Sequence, residues 1–393
     1  MHPGPDADIL CDPQATPPSR GADGLTVASP PAEMPDFRKI ENSMSGASLR
    51  IGLIGAGENT RRRHIPGLQA LPGVELATVA NRTAESSGRV AEEFGIARVS
   101  PDWQSVIADP AIDAVVIGTW PNMHAEITCA ALAAGKHVLC ESRMARNVGE
   151  ARQMQAAAAS HSDRVAMLVP SPFGLECGPE VRSILGDHGL GELREVVVIG
   201  ADDQFLDFTK FLHWRQDAEI SGFNALTLGI LHETLLRWSP QPSRVLAQTQ
   251  LFEPTRANPN GAGTSRVTVP DSLQIMTQYA NGGRGLYHFS GVSIHGPGKQ
   301  IHLYGSRGTI KVLFGERERL FFGRRPDAEL REIAIPPERL GQWRVEAEFV
   351  GAIRGEEKVQ LTSFETGVRY MEFVEAVARS AAENVAVSLP LAP

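Results

Sequence analysis

Cysteine is scarce in this 393-residue chain: Cys11, Cys129, Cys140 and Cys177 are the four, and no two share a Cys-x-x-Cys spacing. That scarcity argues against a disulfide framework and predicts reduced thiols in a cytoplasmic protein. Long apolar runs are missing too. None reaches the roughly 18 residues of a membrane span, and the start of the chain has neither a basic region nor an apolar signal core. Basic residues are outnumbered, 38 Lys and Arg against 46 Asp and Glu, which leaves a net charge of −8. Such a surface repels phosphate backbones and anionic lipid, so nucleic acid and membranes are not expected partners.

What is present is length and apolar content: 42% of the residues are hydrophobic, enough for two packed cores at roughly 100 to 200 residues per domain. Residues 1–47 are rich in proline among small and polar residues, a composition that predicts a disordered tail. From Leu49 strands and helices alternate: Leu49 to Ile54, a helix through Leu71, Val74 to Ala80, a helix through Phe94, then Ala114 to Gly118. A helix over Met123 to Ala134, a strand over His137 to Cys140, a helix over Gly149 to Ser160 and a strand over Val165 to Val169 complete the series. The pattern predicts an α/β domain over 48–169, a doubly wound parallel Rossmann sheet.

Beyond Pro170 the runs lengthen: Leu193 to Ile199, Val267 to Val269 with Leu273 to Tyr279, Gly285 to Phe289, and Gln300 to Tyr304. With helices over Ser221 to Trp238 and Ser363 to Ala382, residues 170–393 read as an α+β domain built on a largely antiparallel open sheet.

The first strand feeds Gly55-Ala56-Gly57-Glu58-Asn59-Thr60, after which a helix can start. Small residues there let the backbone approach a pyrophosphate, and the helix offers unpaired N–H groups and its positive dipole end. Gly55, Gly57, Asn59 and Thr60 are the candidate contacts, with Thr60 standing where Gly or Ala is usual. At the end of the second strand, Asn81 is neutral and Arg82 could stack on adenine or pair with a 2′-phosphate, which favours NADP over NAD. The run Arg61-Arg62-Arg63 reads as a solvated helix face.

Two further segments, Thr119-Trp120-Pro121-Asn122-Met123-His124 and Gly135-Lys136-His137-Val138-Leu139-Cys140-Glu141-Ser142-Arg143, complete three ordered markers. Together they resemble the Gfo/Idh/MocA oxidoreductases, and the resemblance extends through Leu303 to Ile310 and the final helix. It implies a nicotinamide cofactor, with Thr119, Trp120, Asn122 and His124 beneath its ribose and nicotinamide and Glu141 beside the ring. By its own chemistry Asn122 could equally cap a helix, and Glu141 could cap the element after its strand. The family strand usually ends Glu-Lys-Pro; here Ser142 and Arg143 follow the glutamate, so the lysine is absent. Arg143 cannot replace it in proton transfer, because a guanidinium stays protonated, but it can orient an anionic or hydroxylated substrate.

Hydride exchange with a carbonyl needs a partner for the hydroxyl proton, and His232 is the first candidate. The resemblance places Trp214, Arg215, Asn224 and His232 on the substrate side. His232 also shares a helical stripe with Leu228, Leu235 and Leu236, the pattern of a core histidine. Glu233 precedes Arg237 by four residues, the spacing of an intrahelical ion pair. His213 is a second histidine candidate, and no metal-ligand spacing is present. The reading is therefore an NAD(P)-dependent oxidoreductase for a sugar, polyol or related hydroxyl or carbonyl compound, with catalytic Glu141, Arg143 and His232. The alternatives are a degenerate binding protein of the same fold and a redox-neutral enzyme that keeps its cofactor. The resemblance also implies a homodimer or homotetramer.

Overall fold

A computed structural model describes residues 48–259 and 261–392; the expected disordered tail, 1–47, lies outside them. Five short apolar segments, β1 (Leu49–Ile54), β2 (Val74–Ala80), β3 (Ala114–Ile117), β4 (His137–Cys140) and β5 (Ala166–Leu168), pair in parallel in the order β2-β1-β3-β4-β5. All four residues of β3 are buried, as helices covering both faces of a parallel sheet require. Thr83, Asp102 and Asn147 each accept a backbone N–H at a helix start, which sets where the crossovers begin.

The second sheet contains β6 (Leu193–Ala201), β7 (Arg244–Gln250), β10 (Ser272–Gln278), β11 (Arg284–Ser290), β12 (Gly298–Gly305), β13 (Gly308–Phe314), β14 (Glu318–Arg324), β15 (Arg331–Glu332) and β16 (Val387–Ser388). A separate hairpin pairs β8 (Thr255–Ala257) with β9 (Thr264–Arg266). The large sheet runs β15-β14-β13-β12-β6-β11-β10-β7-β16 and is antiparallel except between β6 and β11. Two sequence expectations fail here. Val267 to Val269 is irregular chain following β9, its valines buried without joining a ladder. The helix expected over Ser221 to Trp238 is interrupted: one turn ends at Ser221 and a second helix spans Leu228–Leu236. Between them Gly222 adopts φ +63, and a Cβ there would collide with the backbone of Arg146; close approach to the first domain takes precedence over helical continuity.

One face of the large sheet is covered by the helices Leu228–Leu236 and Phe364–Glu383. The second helix also crosses to the first domain, where Glu375 accepts from Val148 N at 2.8 Å and Glu372 pairs with Arg152 at 2.7 Å. The helix Val345–Ile353 goes further, placing Val345, Phe349 and Val350 in one core with β1, β3 and β4 residues. The last fifty residues therefore fix the two sheets relative to each other. On the sheet's other face, Leu246, Met276 and Leu286 lie side by side in register and are 36%, 53% and 58% exposed. Among the described residues no helix is long and apolar enough to cross a membrane.

Candidate active site

A cleft of about 670 Å³ opens where the carboxyl ends of β1, β3 and β4 face the second domain, the position at which doubly wound sheets bind ligands. After β1 the chain turns at Gly55, φ +82, then enters a π-type turn, Thr60–His64, that continues as the helix Ile65–Gln69. The loop after β3 presses directly on this turn: a Cβ on Gly55 would lie 2.7 Å from Thr119 N, and one on Gly118 would overlap Gly55 O and Thr60 Oγ1. Only glycines let the two loops meet. Asn81 is spent on the same arrangement, its Oδ1 accepting from Ala56 N at 2.7 Å and its amide donating to Ser86 Oγ at 3.1 Å. It braces the glycine loop instead of facing a ribose, whereas the neighbouring Arg82 is exposed and lies 5.7 Å over the Trp120 ring.

Trp120 in turn stacks on Trp214 at 6.4 Å, joining the two domains across the cleft mouth. The helix after β3 begins at Pro121 with Trp120 as its N-cap, so Asn122 does not cap it. Thr119 Oγ1 and Asn122 Oδ1 are both buried without a protein partner. Buried polar atoms of this kind are normally satisfied, and of the two residues Thr119 lines the cleft beside the glycine loop while Asn122 stands in the first turn of the helix behind it. His124, by contrast, is fully buried and bonded to Thr119 O at 3.0 Å and Arg143 O at 2.9 Å. It ties the β3 loop to the β4 loop and does not face the cleft.

Glu141 is the centre of the site. His64 Nε2 lies 3.0 Å from Glu141 Oε1, and His64 Nδ1 lies 2.5 Å from Glu346 Oε1. Asn59 Nδ2 also donates to Glu141, and Ser142 N donates to its other oxygen at 3.2 Å. Burial disfavours a charge on His64, but the hydrogen bonds and negative charges of Glu141 and Glu346 outweigh it and raise the pKa from 6.5 to about 9. For Glu141 the balance against burial runs the same way, and bonding to His64 holds its carboxyl below the usual range. Trp343 Nε1 donates to Glu346 at 2.9 Å, and Arg63 stacks on the Trp343 ring at 4.2 Å.

The sequence expectations missed His64. Its signal was the spacing Thr60, His64, Leu68, one buried helical stripe inside what reads as a basic run.

The four expected substrate-side positions divide. Trp214 and Arg215 line the cleft with His213. Asn224 is buried, donating to Ala145 O and Ser221 O. His232 is sealed in the second domain: it stacks on Phe373 at 3.6 Å and sits 3.3 Å from Tyr287 Oη, and burial lowers its pKa to about 3. Placed so, it cannot reach a substrate in the cleft, and its proposed role as proton shuttle is corrected to that of a core residue. Glu233 pairs with Arg237 at 2.8 Å. His213 is exposed at the cleft wall, where Nδ1 accepts from Arg215 N at 3.2 Å. Burial lowers its pKa first, with Arg215 and Arg143 adding to the effect. With Nδ1 accepting, the neutral form of the ring carries its proton on Nε2.

Comparison with known proteins agrees with this geometry. Residues 49–168 match the model of an oxidoreductase family with an NAD-binding Rossmann fold, and residues 179–311 match a GFO/IDH/MocA C-terminal domain. An uncharacterised oxidoreductase of Rhizobium meliloti is 27% identical over 208 residues, 52% of this chain and 60% of that protein. Levoglucosan dehydrogenase of Pseudarthrobacter phenanthrenivorans is 26% identical over 303 residues, 70% of this chain and 75% of its own length. A solved levoglucosan dehydrogenase in complex with NADH and levoglucosan superposes with a TM-score of 0.77 at 24% identity, covering 88% of this chain and all of that one.

The charge on His64 makes stability depend on pH. Because its folded pKa of about 9 exceeds the unfolded value of about 6.5, the stabilisation is fully present below pH 6.5 and is lost as pH rises through 9. Urea unfolding midpoints should fall over that window in the unaltered protein. His64→Gln should be less stable at pH 6 and nearly flat across the window; equal slopes would show that His64 carries no charge.

Proposed function

The chain belongs to the Gfo/Idh/MocA oxidoreductases, an NAD-binding Rossmann family, and from that premise we propose that it exchanges hydride between a nicotinamide dinucleotide and a hydroxyl or carbonyl carbon of a sugar, polyol or related compound. The observation that carries this reading is the convergence on one cleft of the Gly57–Thr60 turn, Thr119 and Trp120, Glu141 to Arg143 and His213 to Arg215. Residues 48–169 serve the dinucleotide and 170–393 the substrate and assembly.

Gly55, Gly57 and the turn from Asn59 to Thr60 suit the pyrophosphate; Thr119 and Asn122 supply the unpaired polar atoms for the ribose or amide; and Arg82, which makes no ion pair among the described residues, suits a 2′-phosphate. When bound, the nicotinamide gives or takes the hydride. Glu141, kept ionised by His64, accepts hydrogen bonds at the reacting end. His213 presents Nε2–H to the reacting oxygen and stabilises the negative charge that develops there. The oxygen's proton passes to water at the open mouth, which removes the need for a lysine at position 142. A catalytically degenerate binding protein is the second reading, favoured by Ser142 in place of that lysine.

Free Cys129, Cys140 and Cys177 support a reducing, cytoplasmic setting. The exposed row of Leu246, Met276 and Leu286 supports a homodimer or homotetramer through the open sheet face.

Three measurements test these points. Fluorescence titration should show tighter binding of NADPH than NADH, with Arg82→Ala removing the difference; failure of both nucleotides to bind would end every redox reading. His213→Ala should lower kcat by about 10²- to 10³-fold while nucleotide affinity stays constant, and unchanged kcat would remove His213 from the mechanism. Leu286→Arg should convert the oligomer to monomer in light scattering; a monomer before substitution would refute the assembly.

A further inference from the structure

Arg143 is 3% exposed, yet it lines the cleft. Its guanidinium donates only to Leu226 O, and Nε has no partner at all. The neighbouring arginines behave differently: Arg146 pairs with Glu150, Arg152 with Glu372 and Arg237 with Glu233. Arg215, which lines the same cleft, lies over the Trp214 ring at 4.3 Å and likewise makes no ion pair among the described residues. Glu141, a carboxylate of the same cleft, is already held by His64, Asn59 and Ser142 N.

Burying a guanidinium without a counter-charge costs several kcal/mol, and two that share a cleft also repel each other. A fold that needed only packing at position 143 would place an apolar side chain there. The unspent N–H groups of the two arginines, fixed by burial in one case and by stacking in the other, form a fork for a planar or tetrahedral oxyanion.

We propose that Arg143 and Arg215 form an oxyanion-binding subsite, and that the substrate carries a carboxylate or phosphate in addition to the hydroxyl or carbonyl that reacts. The subsite rests on the oxidoreductase reading for the identity of its ligand as substrate. It is separate from the pyrophosphate position, because it lies at the β4 end against Leu226 and not on the Gly55 to Thr60 turn. Neutral sugars then bind weakly however well their hydroxyls fit, since each leaves both cations without a partner.

The test is calorimetric binding to the full chain saturated with NADPH, using matched ligands: D-gluconate against D-glucitol, D-glucuronate against its methyl ester, and D-glucitol 6-phosphate for the phosphate alternative. At least one anion should bind 10-fold or more tighter than its neutral partner, and the preference should weaken with added salt. The carboxylate and phosphate arms identify which oxyanion fits. Arg215→Met and Arg143→Lys should each reduce the preference, leaving NADPH affinity unchanged. Arg143→Met should abolish it, and the other two variants keep the test valid should that protein fail to fold. Equal affinities for charged and neutral partners in the unaltered protein, with NADPH still bound, overturn the subsite and leave the redox reading standing. Loss of NADPH binding in both arginine variants would also overturn it, by assigning the pair to the cofactor. Absence of NADPH binding from the unaltered protein defeats the redox reading instead; the anion preference, measured without nucleotide, then decides the subsite alone.

Discussion

A buried imidazolium between two carboxylates is the constraint on which the cleft depends. His64 comes from the helix after the glycine loop, Glu141 from the end of β4, and Glu346 from a helix nearly at the other end of the chain. Removing three ionisable groups from water is expensive, and the arrangement persists only because each is hydrogen-bonded on several sides. Asn59, Ser142 N and Trp343 supply the remaining contacts. The outcome is positional. Glu141 has little freedom to rotate, so its remaining acceptor capacity points where the two domains meet, and the Val345–Ile353 helix cannot leave the first domain without stranding a charge.

The cleft is therefore electrostatically divided. Its β1–β4 wall carries a carboxylate already compensated from behind, while Arg143 and Arg215 carry cations with no carboxylate paired to either among the described residues. His213 lines the same cleft, its basicity lowered by burial and by those same arginines. A single side of the site can thus hold negative charge without depriving the other of its hydrogen bonds. The second domain contributes to this division through backbone as much as side chain: Leu226, at φ +48 between two helices, offers the carbonyl that Arg143 uses.

Much of this was legible in the sequence, and the failures have a common cause. Strand and helix alternation and the glycine loop are local patterns that periodicity and turn chemistry place, while the β3 loop and Glu141 are marked by the family resemblance, and all of them line or frame the cleft. Asn81, His124 and Asn224 are short polar side chains near the cleft, and from sequence they look like ligand contacts. In the fold Asn81 Oδ1, both ring nitrogens of His124 and the amide N–H groups of Asn224 are taken up by nearby backbone groups, because loops brought this close leave carbonyls and amides that need partners. His232 was ambiguous for a different reason. Helical spacing with Leu228 and Leu235 identified its buried face, but whether that face met the cleft or the sheet depended on Phe373 and Tyr287, far along the chain. The partnership of His64 with Glu346 spans 282 residues, and no local pattern encodes it.

The stack at the cleft mouth has an optical consequence. Arg82, Trp120, Trp214 and Arg215 form a ladder of two stacked indoles flanked by two cations that crosses from one domain to the other. Two indoles held 6.4 Å apart at an interplanar angle of 24° couple the strong far-ultraviolet transition dipoles of their rings, giving circular dichroism a signed couplet that neither ring produces alone. The amplitude of that couplet depends on their mutual orientation. Domain separation, or a molecule inserted between the rings, would thus be written into the protein's own absorption, so that this chain carries a built-in gauge of whether its mouth is open or shut.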